Sequence, residues 1–266
     1  MADYLVKEEH LTAIADAYRE VLQTEDKISF PEGFVQSVQR LVEANNKRWI
    51  EGTFESYEDL NLPSIGLGKF SGMTNLAEVN FPNVSYIDQY GFRSSGLLRA
   101  EFPGVYTFGD YCFEYCRNLE EVIFTKLTSS STGAFCWCSK LRRVEIPLCT
   151  RIGGSAFQGC SSLEILELPS VTAIEGMGFY SSGLKVLYLG SPSVATLANS
   201  ALQGTPIYNG EGVIYVPPDL VDSYKENKDW SSYSDYIASV SSYPRCLSCG
   251  SLTYKGACLN CGFTWA

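Results

Sequence analysis

Two columns of apolar residues recur along the middle of this chain in a single register. Leu76, Leu97, Leu119, Leu141, Leu163 and Leu184 follow one another at steps of 21, 22, 22, 22 and 21 residues. Phe70, Phe92, Phe113, Phe135, Phe157 and Phe179 follow at steps of 22, 21, 22, 22 and 22. A period in this range specifies a solenoid of stacked coils. Within each unit, Leu141-Arg142-Arg143-Val144-Glu145-Ile146-Pro147 matches Leu163-Glu164-Ile165-Leu166-Glu167-Leu168-Pro169 and Leu76-Ala77-Glu78-Val79-Asn80-Phe81-Pro82. The first, fourth and sixth places are apolar, and the last two alternate with mainly polar places, as in a half-buried strand. The proline ends the strand, where its missing donor costs no ladder bond. A short apolar stretch such as Val171-Thr172-Ala173-Ile174 follows, then a Gly- or Ser-rich turn and the phenylalanine. One coil cannot bury its own face, but stacked coils share a core. The expectation is a β-rich solenoid of the leucine-rich-repeat type, with coils of about 22 residues spanning residues 65–204.

The cysteines inside the array fit this scheme. Cys116, Cys138 and Cys160 lie 22 residues apart and three places before the leucine, where other units carry Met73, Ser94 and Ser181. A column that accepts Cys, Met or Ser calls for a small or adaptable filler. Cys149 stands where Val84, Val105, Leu127 and Val171 stand, and Cys112 and Cys136 flank the phenylalanine column. These six read as packing, not as metal or disulfide positions. The run Ser129-Ser130-Ser131-Thr132 departs from the usual turn, so its coil is expected to be looser. The runs Gly153-Gly154-Ser155-Ala156-Phe157-Gln158-Gly159-Cys160-Ser161-Ser162-Leu163 and Leu168-Pro169-Ser170-Val171-Thr172-Ala173-Ile174 resemble the BspA-like leucine-rich-repeat family, over about residues 65–230. The resemblance implies a curved solenoid used for adhesion and protein binding, and no catalytic residues.

Open coil ends need covers. Gly212-Val213-Ile214-Tyr215-Val216-Pro217-Pro218 reads as a last strand, and Pro218 can open a helix. Leu220, Val221 and Tyr224 then share a helical face, and Trp230, Tyr233, Tyr236 and Ile237 add bulk, so residues 205–242 are expected to cap the array. Before the array, Leu11, Ile14, Ala15, Tyr18, Val21 and Leu22 follow helical spacing, as do Phe34, Val35, Val38, Leu41 and Val42 after Pro31. Residues 1–48 are expected to form a helical hairpin for attachment or assembly, joined by a linker at 49–64. A unit this small buries little apolar surface alone. Tyr4-Leu5-Val6, Leu11 to Ala17 and Phe30-Pro31-Glu32-Gly33-Phe34-Val35 resemble the opening of tail and adhesin-like proteins of phages and prophages, which implies an attachment module.

Beyond the cap, Cys246-Leu247-Ser248-Cys249-Gly250 and Cys258-Leu259-Asn260-Cys261-Gly262 form two C-x2-C knuckles eight residues apart. Thiolates two residues apart grip one metal from a tight turn, and two knuckles give S4 ligation that suits structural zinc. Residues 243–266 resemble a minimal zinc-ribbon knuckle pair with Cys246, Cys249, Cys258 and Cys261 as ligands. Rubredoxin-like iron or a redox dithiol pair would use the same residues. Four cysteines fill the shell and leave no open catalytic position.

Nothing else points to an enzyme. The chain has one histidine, His10, in an acidic stretch, and no phosphate-binding Gly-rich loop. Carboxylate pairs such as Glu120-Glu121 read as solvated strand surface. The net charge is −10, concentrated in residues 1–62, so no basic stripe favours nucleic acid. No segment is long and apolar enough to span a membrane. The N-terminus lacks the pattern of a secretory signal, and the expectation is a cytoplasmically made, virion-associated protein that keeps its thiols reduced. The exposed sheet face would carry Glu78, Asn80, Arg99, Glu101, Glu121, Ile123, Arg143, Glu145, Ile165, Glu167, Val186 and Tyr188. The candidate ligand-binding positions are its members from Glu121 to Tyr188, where the character passes from charged to apolar. The functional expectation is a phage or prophage tail-associated binding protein that meets a protein or glycan on a host surface. A cytosolic protein-interaction scaffold and an exported surface adhesin are the alternatives.

Overall fold

The computed structural model describes residues 56–58, 62–81 and 83–242. The hairpin expected at 1–48 and the knuckles expected at 243–266 lie outside the described residues. The array is a β-solenoid of about eight turns. Each coil gives one strand to a parallel sheet. Ser56–Glu58, Glu78–Asn80, Arg99–Glu101, Glu121–Ile123 and Arg143–Glu145 pair in that order. Ile165–Leu168, Val186–Leu189, Val213–Val216 and Ile237–Ser239 form a second segment. Cα partners sit one repeat apart, as in Arg99–Glu121–Arg143, so equivalent side chains form rows across the coils.

A second face is built from two-residue strands, in one set of Ser64–Ile65, Tyr86–Ile87 and Thr107–Phe108 and another of Arg151–Ile152, Ala173–Ile174 and Thr196–Leu197. The interruption between them falls on the Ser129–Thr132 coil, where Ser129 makes only an isolated bridge to Arg151. The departure stays local. Ser130 is fully buried and accepts the Gly153 N–H at 3.0 Å, and Phe135 keeps its place in the core.

Both apolar columns are fully buried. From Phe70 to Phe179 the six rings stack at successive centroid distances of 4.9, 5.2, 5.4, 5.2 and 5.5 Å. Each ring contributes roughly 2–3 kcal/mol by burial, and each stacked pair about 0.5–1.5 kcal/mol more. A left-handed residue stands two places before and two places after each ring. The first series is Gly68, Tyr90, Tyr111, Gly133, Ser155 and Met177, the second Gly72, Ser94, Tyr115, Trp137, Gly159 and Ser181. Between them the ring residue's N–H bonds to the next coil, from Phe70 to Gly91 O at 2.8 Å through Phe179 to Ala201 O at 2.8 Å. This ladder fixes the turn whatever side chain occupies it. Left-handed Ser200 and Gly204 bracket the fully buried Leu202 in the same way, so the column has a seventh member.

The filler column differs from the sequence expectation at two coils. The buried residues after the second left-handed position are Met73, Ser95, Cys116, Cys138, Cys160, Ser182 and Thr205. Ser94 and Ser181 hold the left-handed position itself. Counting back three places from each leucine misassigns them, because these two coils are one residue shorter between filler and leucine.

After the Val213–Val216 strand the chain turns into helix. A 3₁₀ turn at Pro218–Leu220 leads into a helix at Val221–Glu226. Tyr224 and Trp230 are fully buried. The Ala195 N–H donates to Tyr224 Oη at 2.9 Å, and Trp230 Nε1–H donates to Ala195 O at 2.6 Å, so two aromatic side chains satisfy the backbone of the last coil. Ile237–Ser239 then adds a strand to the sheet, where the sequence suggested only apolar bulk.

Candidate functional site

The strands turn two rows of side chains away from the core. One row runs Glu78, Arg99, Glu121, Arg143 and, in the second segment, Ile165, Val186, Val213. The other contains Glu101, Ile123, Glu145 and then Glu167, Tyr188, Tyr215, Ala238. All eight candidate binding residues therefore lie on the outward rows.

Their surroundings divide at the break between Arg143–Glu145 and Ile165–Leu168. In the first segment Glu121 lies between two guanidinium groups. Arg99 Nε stands 3.3 Å from its Oε2 and Arg143 Nη1 stands 2.6 Å from its Oε1, the latter an ion pair without the angle of a good hydrogen bond. Arg143 also pairs with Glu145. These carboxylates raise the Arg143 pKa although partial burial opposes the shift. Glu120–Arg142 at 3.2 Å is a further link between coils. Alternating charges are thus held in place on rigid strands, with Arg99 and Arg143 still about half exposed, at 54% and 42%.

The second segment is different. Val186 and Tyr215 are fully buried, packed with the partly buried Ile165, Tyr188, Val213, Ala238 and Val240. The expectation that Val186 faces an open binding surface is corrected: its neighbours on both flanking strands are apolar, so the row closes into a small core. Ile165, Glu167 and Tyr188 are only partly exposed. Tyr215, Ala238 and Val240 were missed by the sequence reading, although the alternation Tyr236-Ile237-Ala238-Ser239-Val240 signals a strand.

Cys112, Cys116, Cys136, Cys138, Cys149 and Cys160 are all buried and free. The Sγ–H groups of Cys116, Cys138 and Cys160 donate to the carbonyls of Phe92, Phe113 and Phe135 at 3.0, 3.0 and 3.1 Å, in each case in the preceding coil. Burial pushes the Cys112, Cys138 and Cys160 thiols up, the opposite of what a nucleophile needs. Among the described residues no three His, Cys, Asp or Glu side chains converge on a metal position. His10, Cys246, Cys249, Cys258 and Cys261 lie outside the described residues.

The sequence profile of the BspA type leucine rich repeat region matches residues 54–148 and 128–209, in six copies. No curated protein matches the chain. Similar solved structures include a leucine rich cell surface protein from Faecalibacterium prausnitzii, 17% identical with a TM-score of 0.29 and 59% of each chain covered. A leucine-rich repeat protein from Bacteroides ovatus is 19% identical, with a TM-score of 0.42 and 66% of this chain covered. The pneumococcal vaccine antigen PcpA is 14% identical, with a TM-score of 0.35 and 70% of each chain covered. This chain spans 59% and 57% of the length of the first two. With the profile covering more than half of its length, the chain belongs to the BspA type leucine-rich repeat family.

Proposed function

We propose that this chain is a non-catalytic binding protein of the adhesion type, and that the charged half of its sheet face contacts a protein or glycan on a host surface. The observation that carries this reading is the alternating Arg99–Glu121–Arg143–Glu145 pattern held on paired strands. Pre-positioned charge orients an encounter and rejects partners of the wrong pattern. The test is binding of the labelled protein to host cells, with Arg99→Glu/Arg143→Glu beside the parent. The variant is expected to keep its circular dichroism spectrum and lose most cell binding. Undiminished binding by the folded variant sinks this assignment of the face.

The finer reading is a tail-associated receptor-binding protein, supported by the resemblance carried by residues 4–35. Deleting residues 1–45 is then expected to abolish incorporation into a particle or self-association. If neither changes, the cytosolic interaction scaffold is the better reading. Structural zinc on Cys246, Cys249, Cys258 and Cys261 is supported by the spacing of the two knuckles. Elemental analysis should find about one zinc per chain, lost on Cys249→Ser. Protein free of zinc and iron, with Cys249→Ser leaving stability unchanged, removes the metal from the reading.

A further inference from the structure

The turn edge carries an oddity that neither the coil fold nor the sheet face explains. Most of its left-handed positions are filled by glycine or serine, yet three adjacent coils place Tyr90, Tyr111, Tyr115 and Trp137 there, with φ from 55° to 60°. Bulky side chains avoid this conformation. The backbone ladder would form as well with glycine, as it does at Gly68, Gly133 and Gly159. Strained residues of this kind point from structure to function.

The placement of the rings shows what they offer. A Cβ on Gly133 would lie 2.3 and 2.4 Å from Cδ1 and Cε1 of Tyr111, and one on Gly159 would lie 2.4, 2.8 and 2.8 Å from Cε3, Cδ2 and Cζ3 of Trp137. Each ring thus occupies the space that the next coil's side chain would take, and glycine leaves that space open. Trp137 remains 42% exposed there. Tyr90 and Tyr111 lie 5.9 Å apart and 21° from parallel.

Polar groups border the rings. The Arg93 guanidinium reaches Tyr90 and Tyr115 at 5.4 and 6.0 Å and pairs with Glu114 at 2.6 Å. Arg117 lies 5.6 Å over Tyr115, and Lys140 donates to Asn118 at 3.2 Å. A shallow groove of about 400 Å³ runs beside Tyr115, lined by Ser94, Ser95, Gly96, Arg117 and Asn118. Aromatic surface bordered by hydrogen-bonding side chains suits a chain of sugar rings. The C–H faces of sugars carry slight positive charge and meet the negative ring face, while their hydroxyls take up the amide, guanidinium and carboxylate groups.

We propose that the turn edge from Tyr90 to Trp137 is a carbohydrate-binding platform, separate from the sheet face. The test uses the full chain on a printed array of bacterial and mammalian glycans, followed by calorimetric titration of the best-bound oligosaccharide. Trp137→Gly and Tyr111→Gly place in each column a residue it already accepts in other coils, so both variants should unfold as cooperatively as the parent. Each is expected to weaken binding at least about tenfold, whereas Asp222→Asn, on the exposed side of the cap helix, leaves it unchanged. No bound glycan, or full affinity in both folded glycine variants, overturns the platform. Loss of glycan binding only in Arg99→Glu/Arg143→Glu would transfer the sugar to the sheet face. Host-cell binding that persists without any bound glycan would leave the proposed function standing.

Discussion

The two segments of the exposed sheet share strand direction, register and core columns, yet treat the same outward rows in opposite ways. From Glu78 to Glu145 the two rows carry charge, linked through Arg99–Glu121, Arg143–Glu121 and Arg143–Glu145 and still wetted at the arginines. From Ile165 onward one row carries Val186 and the other Tyr215, both buried as deeply as the phenylalanine column. Strand periodicity decides which way a side chain points. Whether that direction leads to water depends on its cross-strand neighbours, since lateral pairs are the unit of sheet packing. One segment is therefore a surface that can recognise, and the other a stabilising end that merges into the cap.

Placing a carboxylate in each half should break the comparison most strongly. Val186→Asp sets an unpaired charge in a closed apolar cluster and is expected to cost on the order of 3–5 kcal/mol. Ile123→Asp, on a partly exposed position in the charged half, should cost about 1 kcal/mol or less. Urea unfolding of the two variants reads the difference, and equal costs would show that the halves are not distinct. A smaller effect comes from Glu121→Gln, which removes the centre of the Arg99–Glu121–Arg143 row. The loss should be about 1 kcal/mol and should shrink as salt screens the parent. Stability that is insensitive to both the variant and the salt would mean the row contributes orientation only.

The smallest effect is one of pH and concerns the core under each half. The charged half sits on Cys116, Cys138 and Cys160, whereas the filler column under the apolar half continues as Ser182 and Thr205. Burial pushes the nearby Cys136 thiol up to about 11, helped by Glu114, and raises Cys112, Cys138 and Cys149 as well. An unfolded thiol titrates near 8.5, at about the ordinary value. The folded state holds the proton more tightly, so this stabilisation is complete below that value and is lost as pH rises toward about 11. Hydrogen exchange, corrected for intrinsic rates, should show coils 112–160 loosening before coils 182–216 across that range. Uniform loosening would remove the thiols from the explanation.

Much of this was legible in the sequence because both main columns keep one residue type and one step. What escaped did so for local reasons. Leu202 replaces phenylalanine after a step of 23, so the seventh coil drops out of the pattern. Ser95 and Ser182 were displaced by a one-residue difference in coil length. The left-handed tyrosines and tryptophan were invisible because sequence rules assign that conformation to glycine and asparagine, whereas here the ladder between coils imposes it. The closure around Val186 depends on Tyr215, 29 residues away, and no local window contains both.

The variable joint between filler and leucine also bears on how such an array grows. Its two lengths, seen at Ser95–Leu97 and at Cys116–Leu119, leave the columns on either side aligned. A genetic crossover between copies one residue out of phase would therefore be absorbed there without disturbing the core. Coils can in this way be duplicated or exchanged singly, each bringing its own outward side chains.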